Sequence, residues 1–269
     1  MLCPYLCMLP ELFTYITTRC PSHIRRMGYL YEAIGLKCRY KRHPASWQNH
    51  LEKTRQFVLS AAGKSQRRGK VVILGSGLLL DVPLETLSSM FREVVLIDIV
   101  CLPEVHRRIK EYDNVIFLQQ DVTNIAETLY QNVQYGRREL PSARSVLPEI
   151  DKDTGLVISL NTLSQLTVVL RKYALKKLTG IAKDHVESWC RQIIEAHYAF
   201  LRSLPCNLCL IADHRYTKRD RNGRITAQGS TISGISLPAP DDSWTWNIAP
   251  IGEESRFYSK ELDVGAWYI

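Results

Sequence analysis

An apolar run that ends in a glycine turn constrains the fold of this chain more than any other segment does. Residues 71–74 are aliphatic, and Gly75-Ser76-Gly77 follows them directly. Glycine lets a chain turn sharply at the end of a strand and lets a ligand approach the backbone without a Cβ in the way. A second apolar run, 94–97, ends in Asp98, and an acid at that place can accept hydrogen bonds from the ribose hydroxyls of an adenosine. Together the two runs predict a nucleotide-type cofactor site in an open α/β sheet.

Strand and helix patterns alternate from residue 70 onward. They predict strands at 70–75, 93–98, 114–118, 155–160 and 206–212, separated by helices at 83–91, 102–111, 123–133, 163–172 and 181–203. Two later segments, 243–248 and 264–269, alternate apolar and polar side chains and predict antiparallel strands joined by a loop. The pattern indicates an α/β protein with a doubly wound, mostly parallel sheet and an antiparallel C-terminal hairpin.

The residues before the first strand are predicted to be helical. Apolar side chains at helical spacing indicate short helices between 10 and 40, with Gly35 as a stop, and another helix from about 44 to 61. We therefore divide the chain into an N-terminal helical cap or lid at residues 1–66 and an α/β domain at residues 67–269.

The charge of the chain bears on its partners. The net charge is +8, which admits an acidic partner such as nucleic acid, although a plain basic surface is the simpler interpretation. The densest basic segment, 218–224, is predicted to be a loop that either receives an acidic substrate or is merely solvated. A small-molecule or acidic substrate therefore stays open. A nucleic-acid substrate is unsupported, because no known reading module occurs and the aromatic residues do not interleave with a basic stripe.

The cysteines and the hydropathy bear on the compartment. The eight cysteines lack a compact disulfide spacing and predict free thiols in a reducing cytoplasm. Cys206 and Cys209 have a redox-type spacing but fall on a predicted strand, where positions three apart point to opposite faces. No apolar run is long enough to cross a membrane, and no cluster has metal-ligand spacing, so neither a membrane nor a metal is expected. The oligomeric state is left open.

In this arrangement the chain resembles the class I S-adenosylmethionine-dependent methyltransferase family, whose fold is Rossmann-like with a seven-stranded sheet. The resemblance covers about residues 70–269, and the terminal hairpin corresponds to the family's sixth and seventh strands. It implies S-adenosylmethionine as the cofactor. By this resemblance the methionine part faces Gly75, Ser76 and Gly77, the ribose binds Asp98, the adenine amine contacts Asp121, and Asn161 lines the transfer site.

The chain departs from the family pattern in its glycine loop. Ile73 stands where the family usually has an acid, and Leu79 replaces the third glycine. Asp81, which follows shortly, could supply a polar contact instead. Asp98, Asp121 and Asn161 also have a structural interpretation, because such residues often cap helices.

The implied reaction is the transfer of a methyl group to an oxygen, nitrogen or carbon of an unidentified acceptor. Asp213 and His214 follow the fifth strand and are candidates for a general base, although a histidine there could simply be solvated. Two other hypotheses stay open. The departures in the glycine loop favour an inactive methyltransferase-like binding or scaffold protein. A nicotinamide-dependent oxidoreductase is disfavoured by the terminal hairpin.

Overall fold

Four helices precede the sheet. The computed structural model of the protein describes residues 9–142, 147 and 149–269. The helices are α1 (Leu9–Thr17), α2 (Ser22–Met27), α3 (Tyr29–Arg42) and α4 (Pro44–Lys64). The predicted stop at Gly35 is wrong, because α3 runs through it to Arg42. A glycine inside a helix costs about 1 kcal/mol relative to alanine, and the buried face of Leu30, Ile34 and Cys38 offsets this cost.

Strands and helices then alternate as predicted. The elements are β1 (Lys70–Leu74), α5 (Leu84–Met90), β2 (Glu93–Asp98), α6 (Pro103–Ile109), β3 (Val115–Gln119), α7 (Ala126–Gln134), β4 (Thr154–Leu160), α8 (Thr162–Gln165), α9 (Val168–Lys177), α10 (Lys183–Arg202) and β5 (Asn207–Asp220). Three strands follow: β6 (Ile225–Ser230), β7 (Asp242–Ala249) and β8 (Tyr258–Tyr268).

The sheet has the order β3-β2-β1-β4-β5-β8-β7, with β6 paired to β5 outside this path. The first five strands are parallel, β8 is antiparallel to β5, and β7 is antiparallel to β8. This confirms the doubly wound, mostly parallel sheet with antiparallel C-terminal strands. The apolar residues 71–74 and 94–97 are buried on both faces of the sheet, as helices on both sides require. The seven expected strands form the path, and β6 is an eighth.

The main difference from the predicted strands lies in β5. The sequence predicts its end at 212 and a loop at 218–224, but the strand continues to Asp220 and a tight turn leads into β6. Both edges of this extension are paired, one with β6 and the other with β8. Asp220 Oδ1 accepts the N–H groups of Asn222 and Arg224 and closes the turn. The sequence does contain a signal for this turn, Asn222-Gly223, because Asn-Gly is strongly favoured in the turns of β-hairpins.

Helix α4 lies antiparallel to β4 and packs against β7. Near its end, Ser65 Oγ donates to Gly155 O at the start of β4. Near its beginning, His50 Nε2 lies 3.5 Å from Asn161 Nδ2, just after the end of β4. The first half of α4 is thereby brought to the carboxyl ends of the parallel strands. The division into residues 1–66 and 67–269 stays a prediction.

The described residues also bear on cysteine chemistry and hydropathy. Six cysteines in this part of the chain are free thiols, Cys206 and Cys209 among them. None of the helices described is both long and apolar enough to span a bilayer.

Candidate functional site at the carboxyl edge of the sheet

Gly75 is required by the packing of β1 against β4. Its φ is +76°, which disfavours any side chain, and a Cβ there would lie 2.3 Å from Thr162 Oγ1 and 2.7 Å from Leu160 O. The Thr162 hydroxyl in turn donates to Leu74 O at 3.0 Å. The absence of a side chain at Gly75 therefore lets the ends of the two central strands meet closely, whether or not a ligand lies above them.

Gly77 and Asp98 join the loop after β1 to the end of β2. The Gly77 N–H donates to Asp98 Oδ2 at 2.8 Å, and the Val100 N–H donates to Oδ1 at 3.3 Å. Burial raises the pKa of Asp98, while these donors act in the opposite direction. Asp98 is not the N-cap of α6, because that position is Leu102 and no side chain caps it. A Cβ on Gly77 would meet only Gly75 O, at 3.9 Å, so the space beside this glycine is open.

Two other side chains of the glycine loop, the polar Ser76 and the apolar Leu79, are buried. Ser76 is fully buried, and its hydroxyl has no hydrogen-bond partner among the described residues. Leu79 has a φ of +59° with its side chain in the core. The backbone at Leu79 thus has a left-handed conformation, which glycine adopts more readily than leucine.

Two charged side chains, Arg55 and Asp81, lie near each other beside this loop. Burial raises the pKa of Asp81 to about 6, and the positive charge of Arg55, on α4, opposes the shift. Arg55 Nε is itself buried, and within the described part of the chain it donates no hydrogen bond. A buried guanidinium nitrogen without an acceptor is costly. The pair therefore offers one positive and one negative group next to the loop.

Asp121 closes the turn that precedes α7. Its Oδ1 accepts from the N–H and hydroxyl of Thr123, and its Oδ2 accepts from the N–H groups of Ile125 and Ala126. Asp121 is not the N-cap of α7, because that position is Ile125, but its carboxylate accepts N–H groups at the start of this helix and so has a structural role. The charge of Asp121 reaches Tyr29 of α3, where burial first and this charge second raise the phenol pKa well above its ordinary value.

Asn161 stands at the end of β4 with a φ of +50° and is buried. Its neighbour His50 is also buried and stacks on Trp246, with ring centroids 3.9 Å apart. His50 Nδ1 accepts from Trp244 Nε1 at 3.0 Å, so the ring proton is on Nε2, which faces the Asn161 amide. Burial lowers the pKa of His50 to about 3 and keeps it neutral. Asn161 Oδ1 is buried and has no hydrogen-bond partner among the residues that the structure describes. It can accept from the His50 Nε2–H group if the oxygen and nitrogen of the amide are exchanged.

Asp213 and His214 lie where β5 leaves the parallel part of the sheet. Asp213 is 4% exposed and accepts from Ser164 Oγ at 2.5 Å. Burial raises its pKa, against the hydrogen bonds from Ser164 and Thr231 and the charge of Lys260. His214 occupies a bulge, because the pairing with β8 skips from Asp213 to Arg215. Its imidazole is half-buried.

Two cavities lie away from this edge. One, of about 460 Å³, is on the outer surface of α10. The other, of about 320 Å³, lies between α1, α3 and the loop around Glu253. Among the described residues, no group of three or more His, Cys, Asp or Glu side chains could hold a metal ion.

The structure therefore brings most predicted site residues to one edge. Gly75, Ser76 and Gly77 follow β1, and Asp98, Asp121 and Asn161 lie at or just after the ends of β2, β3 and β4. Asp213 and His214 lie within β5, just beyond the part that pairs with β4. Tyr29 comes from the helices that the sequence predicted to be a lid over this edge. His50 and Arg55 were not predicted: they carry no motif, and only the packing of α4 brings them here.

No known family model matches the chain, and a search of curated proteins finds no match. Solved structures do match. DhpI in a SAM-HEP complex is 13% identical, covers 91% of this chain and 99% of its own, and has a TM-score of 0.39. The N-methyltransferase NodS from Bradyrhizobium japonicum WM9, with S-adenosyl-L-homocysteine, is 12% identical over 80% of this chain and 85% of its own, with a TM-score of 0.35.

A third solved structure is a SAM-dependent methyltransferase from Aquifex aeolicus. It is 12% identical, covers 78% of this chain and 88% of its own, and has a TM-score of 0.33. The fold is assigned from the topology of this chain: five parallel strands with helices on both faces, followed by an antiparallel pair on the β5 side. The chain has the Rossmann-like fold of the class I S-adenosylmethionine-dependent methyltransferases.

Proposed function

We propose that the protein is an S-adenosylmethionine-dependent methyltransferase that acts on an unidentified acceptor in the cytoplasm. One observation carries the proposal: Asp98, at the tip of β2, is joined to Gly77 of the loop after β1. A partly exposed carboxylate beside an open glycine backbone suits a ribose and the chain attached to it. The free thiols are consistent with a reducing compartment.

The residues around the loop fit the remaining parts of this cofactor. Its amino-acid end carries an ammonium and a carboxylate, and the charges of Asp81 and Arg55 complement them. We assign the ammonium to Asp81 and the carboxylate to Arg55, whose buried Nε lacks an acceptor. Asp81 then replaces the acid that is missing at Ile73. Asp121, with Tyr29 nearby, stands on the adenine side.

Methyl transfer from this cofactor requires few catalytic groups from the protein. The bound sulfonium supplies an electrophilic methyl group, so the side chains must align the acceptor and exclude water. Asn161 is held in place by His50 and borders the space where the acceptor would lie. Asp213, whose pKa is raised by burial, is a stronger base than an ordinary carboxylate. His214 is the second candidate for accepting a proton.

The first helices act as a lid in this proposal. Tyr29, His50 and Arg55 reach the ends of three strands, and Lys37 of α3 forms an ion pair of 2.6 Å with Glu104 of α6. These contacts would exclude water from the transfer site and contribute to the choice of acceptor. A cap that covers the edge this way must move to admit a ligand.

Calorimetric titration with S-adenosylmethionine and S-adenosylhomocysteine tests the proposal. We expect micromolar affinity that weakens about tenfold or more, roughly 1.4 kcal/mol, in Asp98→Ala. The control is Asp113→Ala, which removes an exposed acid between α6 and β3 and should bind like the wild type. No heat and no thermal shift at millimolar ligand would refute the cofactor assignment.

The same titration also tests the second candidate function, an inactive methyltransferase-like binding protein. Leu79 favours this candidate, because its side chain fills the core where the family has a glycine. In that case the hydrogen bond between Gly77 and Asp98 would stabilise the loop alone. Asp98→Ala would then lower the melting temperature, and neither the variant nor the wild type would give heat or a thermal shift with the ligand.

A further inference from the structure

The second half of β5 forms a surface of its own. Beyond the bulge at His214, residues Arg215–Asp220 pair with β6 on one side and with Tyr258–Asp263 of β8 on the other. We call this three-stranded antiparallel segment the arm. The parallel strand β4 pairs with β5 only as far as Ile211, so the arm projects beyond the carboxyl edge of the parallel strands.

The register of the arm puts two tyrosines and two lysines on one face. Lys218 is opposite Lys260, and Tyr216 and Tyr258 occupy positions of the same face on the two strands. Lys218 Nζ lies 4.3 Å from the centre of the Tyr258 ring, and Lys260 Nζ lies 5.9 Å from that of Tyr216. The two lysines are therefore neighbours across the strands, and one ring flanks them at each end.

Strand β6, which flanks this face, has no side chain opposite Tyr216. Gly229 of β6 is opposite Tyr216, and a Cβ there would lie 2.8 Å from its ring. The ring thus lies against bare backbone, which keeps it close to the plane of the sheet. A base could stack on a ring held in this way.

Most acidic groups of the arm are already engaged. Asp220 binds two backbone N–H groups of the turn, and Glu261 pairs with Arg219 on the opposite face. Glu254, from the preceding loop, lies 3.9 Å from Lys260 Nζ at one end of the patch.

The tip of the arm adds basic and aromatic groups to the patch. Arg221 and Arg224 lie in or beside the turn, and Arg256 stacks on Phe257, whose side chain is 63% exposed. The arm and its tip are therefore mainly basic.

We propose that this face of the arm, formed by Tyr216, Lys218, Tyr258 and Lys260, binds single-stranded nucleic acid. Lysines neutralise phosphates, and tyrosines offer stacking faces that accept any base. The charge of Lys260 reaches Asp213, so a strand bound here would lead to the edge where the acceptor is expected. That the bound strand is also the methyl acceptor rests on the proposed function; the binding itself does not.

The combination of rings and cations favours nucleic acid over other anionic partners. An acidic peptide or an anionic lipid surface would use the lysines but has no need of the two rings that flank them. A nucleic acid uses both, because phosphates and bases alternate along its chain. The contribution of Tyr258 therefore separates these partners.

Fluorescence anisotropy with a labelled short RNA and the DNA of the same sequence tests the proposal, without cofactor and at several salt concentrations. We expect the double variant Lys218→Gln/Lys260→Gln to bind about tenfold more weakly, and its salt slope to fall by about 1.4, the value for two lost phosphate contacts on a single strand. Tyr258→Leu should lose a similar factor with an unchanged slope, and Tyr258→Phe should keep the wild-type affinity.

A matched control removes two lysines elsewhere. Lys176→Gln/Lys177→Gln, in the exposed last turn of α9, changes the net charge by the same amount and should leave binding within twofold. Equal losses in both double variants would mean diffuse attraction and overturn the proposal, as would unaltered binding in Tyr258→Leu. Vesicles of anionic lipid or an acidic peptide that bind the wild type as tightly as RNA would also overturn it. Because no cofactor is present, each result is independent of the methyltransferase proposal.

Discussion

Gly75 and Gly77 belong to one short motif but serve different purposes. Gly75 has no room for a side chain, since a Cβ would lie 2.3 Å from a side-chain oxygen and 2.7 Å from a backbone oxygen. Gly77 also has a positive φ, of +50°, but its missing Cβ faces open space. The motif thus combines a packing requirement at its first glycine with an accessible backbone at its second.

This difference predicts losses of stability of different size for the same substitution at the two positions. Gly75→Ala should destabilise the protein by about 3 kcal/mol or more, because steric overlap adds to the strain of a left-handed alanine. Gly77→Ala should cost only about 1 kcal/mol, the conformational strain alone. Urea unfolding of both variants measures the two values. Similar losses in both would contradict the separation.

At the level of elements, the central strands could be predicted because they are buried on both faces. Such strands consist of continuous runs of Val, Ile and Leu, as in β1 and β2. The local sequence alone therefore predicts their positions. The extension of β5 could not be read in this way. Its residues from His214 to Asp220 are mostly polar, and strand pairing with β6 and β8 decides their conformation.

The loop between β7 and β8 is attached by a buried carboxylate to the end of α3 and to His43, which lies between α3 and α4. Glu253 is 5% exposed and accepts from Arg42 Nε at 2.9 Å, with the same guanidinium also reaching its second oxygen. His43 Nε2 lies 3.1 Å from Oε2, and Arg39 Nε lies 3.5 Å from Oε1. These contacts, with Arg42 the largest influence, hold the pKa of Glu253 below its ordinary value.

Glu253→Gln should therefore lower the free energy of unfolding by about 2 kcal/mol at pH 7, because it leaves a cluster of positive groups without their carboxylate. Glu254→Gln, next to it and more exposed, should cost less than about 1 kcal/mol. The depressed pKa fixes the sign of the pH effect: the stabilisation is complete above the pKa of the unfolded chain and is lost as the pH falls towards the folded value. Chemical unfolding at pH 7 and pH 4 measures this loss, and equal pH dependence in wild type and Glu253→Gln would contradict it.

At the scale of the whole molecule, the candidate site combines parts that sequence reasoning finds with parts that it does not. The glycine loop and Asp98 follow strongly patterned strands, so both were predictable. Arg55 and His50 belong to a helix whose pattern shows only a buried face. Their place at the site depends on how α4 lies across β4 and β7, a tertiary relation that no local pattern carries.

The burial of Asp81, near the positive charge of Arg55, leads to a prediction about pH. Burial raises the pKa of Asp81 to about 6, so the carboxyl is ionised at pH 7.5 and only about a tenth ionised at pH 5. If it holds the ammonium of S-adenosylhomocysteine, the affinity should fall about tenfold between these values. 5′-Methylthioadenosine lacks the amino-acid end, and its affinity should not change over the same range.

Two variants test whether Asp81 and Arg55 bind the amino-acid end of S-adenosylhomocysteine. Asp81→Asn should remove the pH dependence and weaken S-adenosylhomocysteine at pH 7.5, while 5′-methylthioadenosine binds as before. Arg55→Met should weaken the binding of S-adenosylhomocysteine about tenfold. Lys53→Met, which removes a cation with a 42% exposed side chain from the same helix, should not weaken it. Equal losses for both ligands in Arg55→Met would indicate that the lid itself is disturbed. If the wild type binds both ligands with the same pH dependence, Asp81 does not bind the ammonium group. No residue would then replace the acid that the family usually has at the position of Ile73.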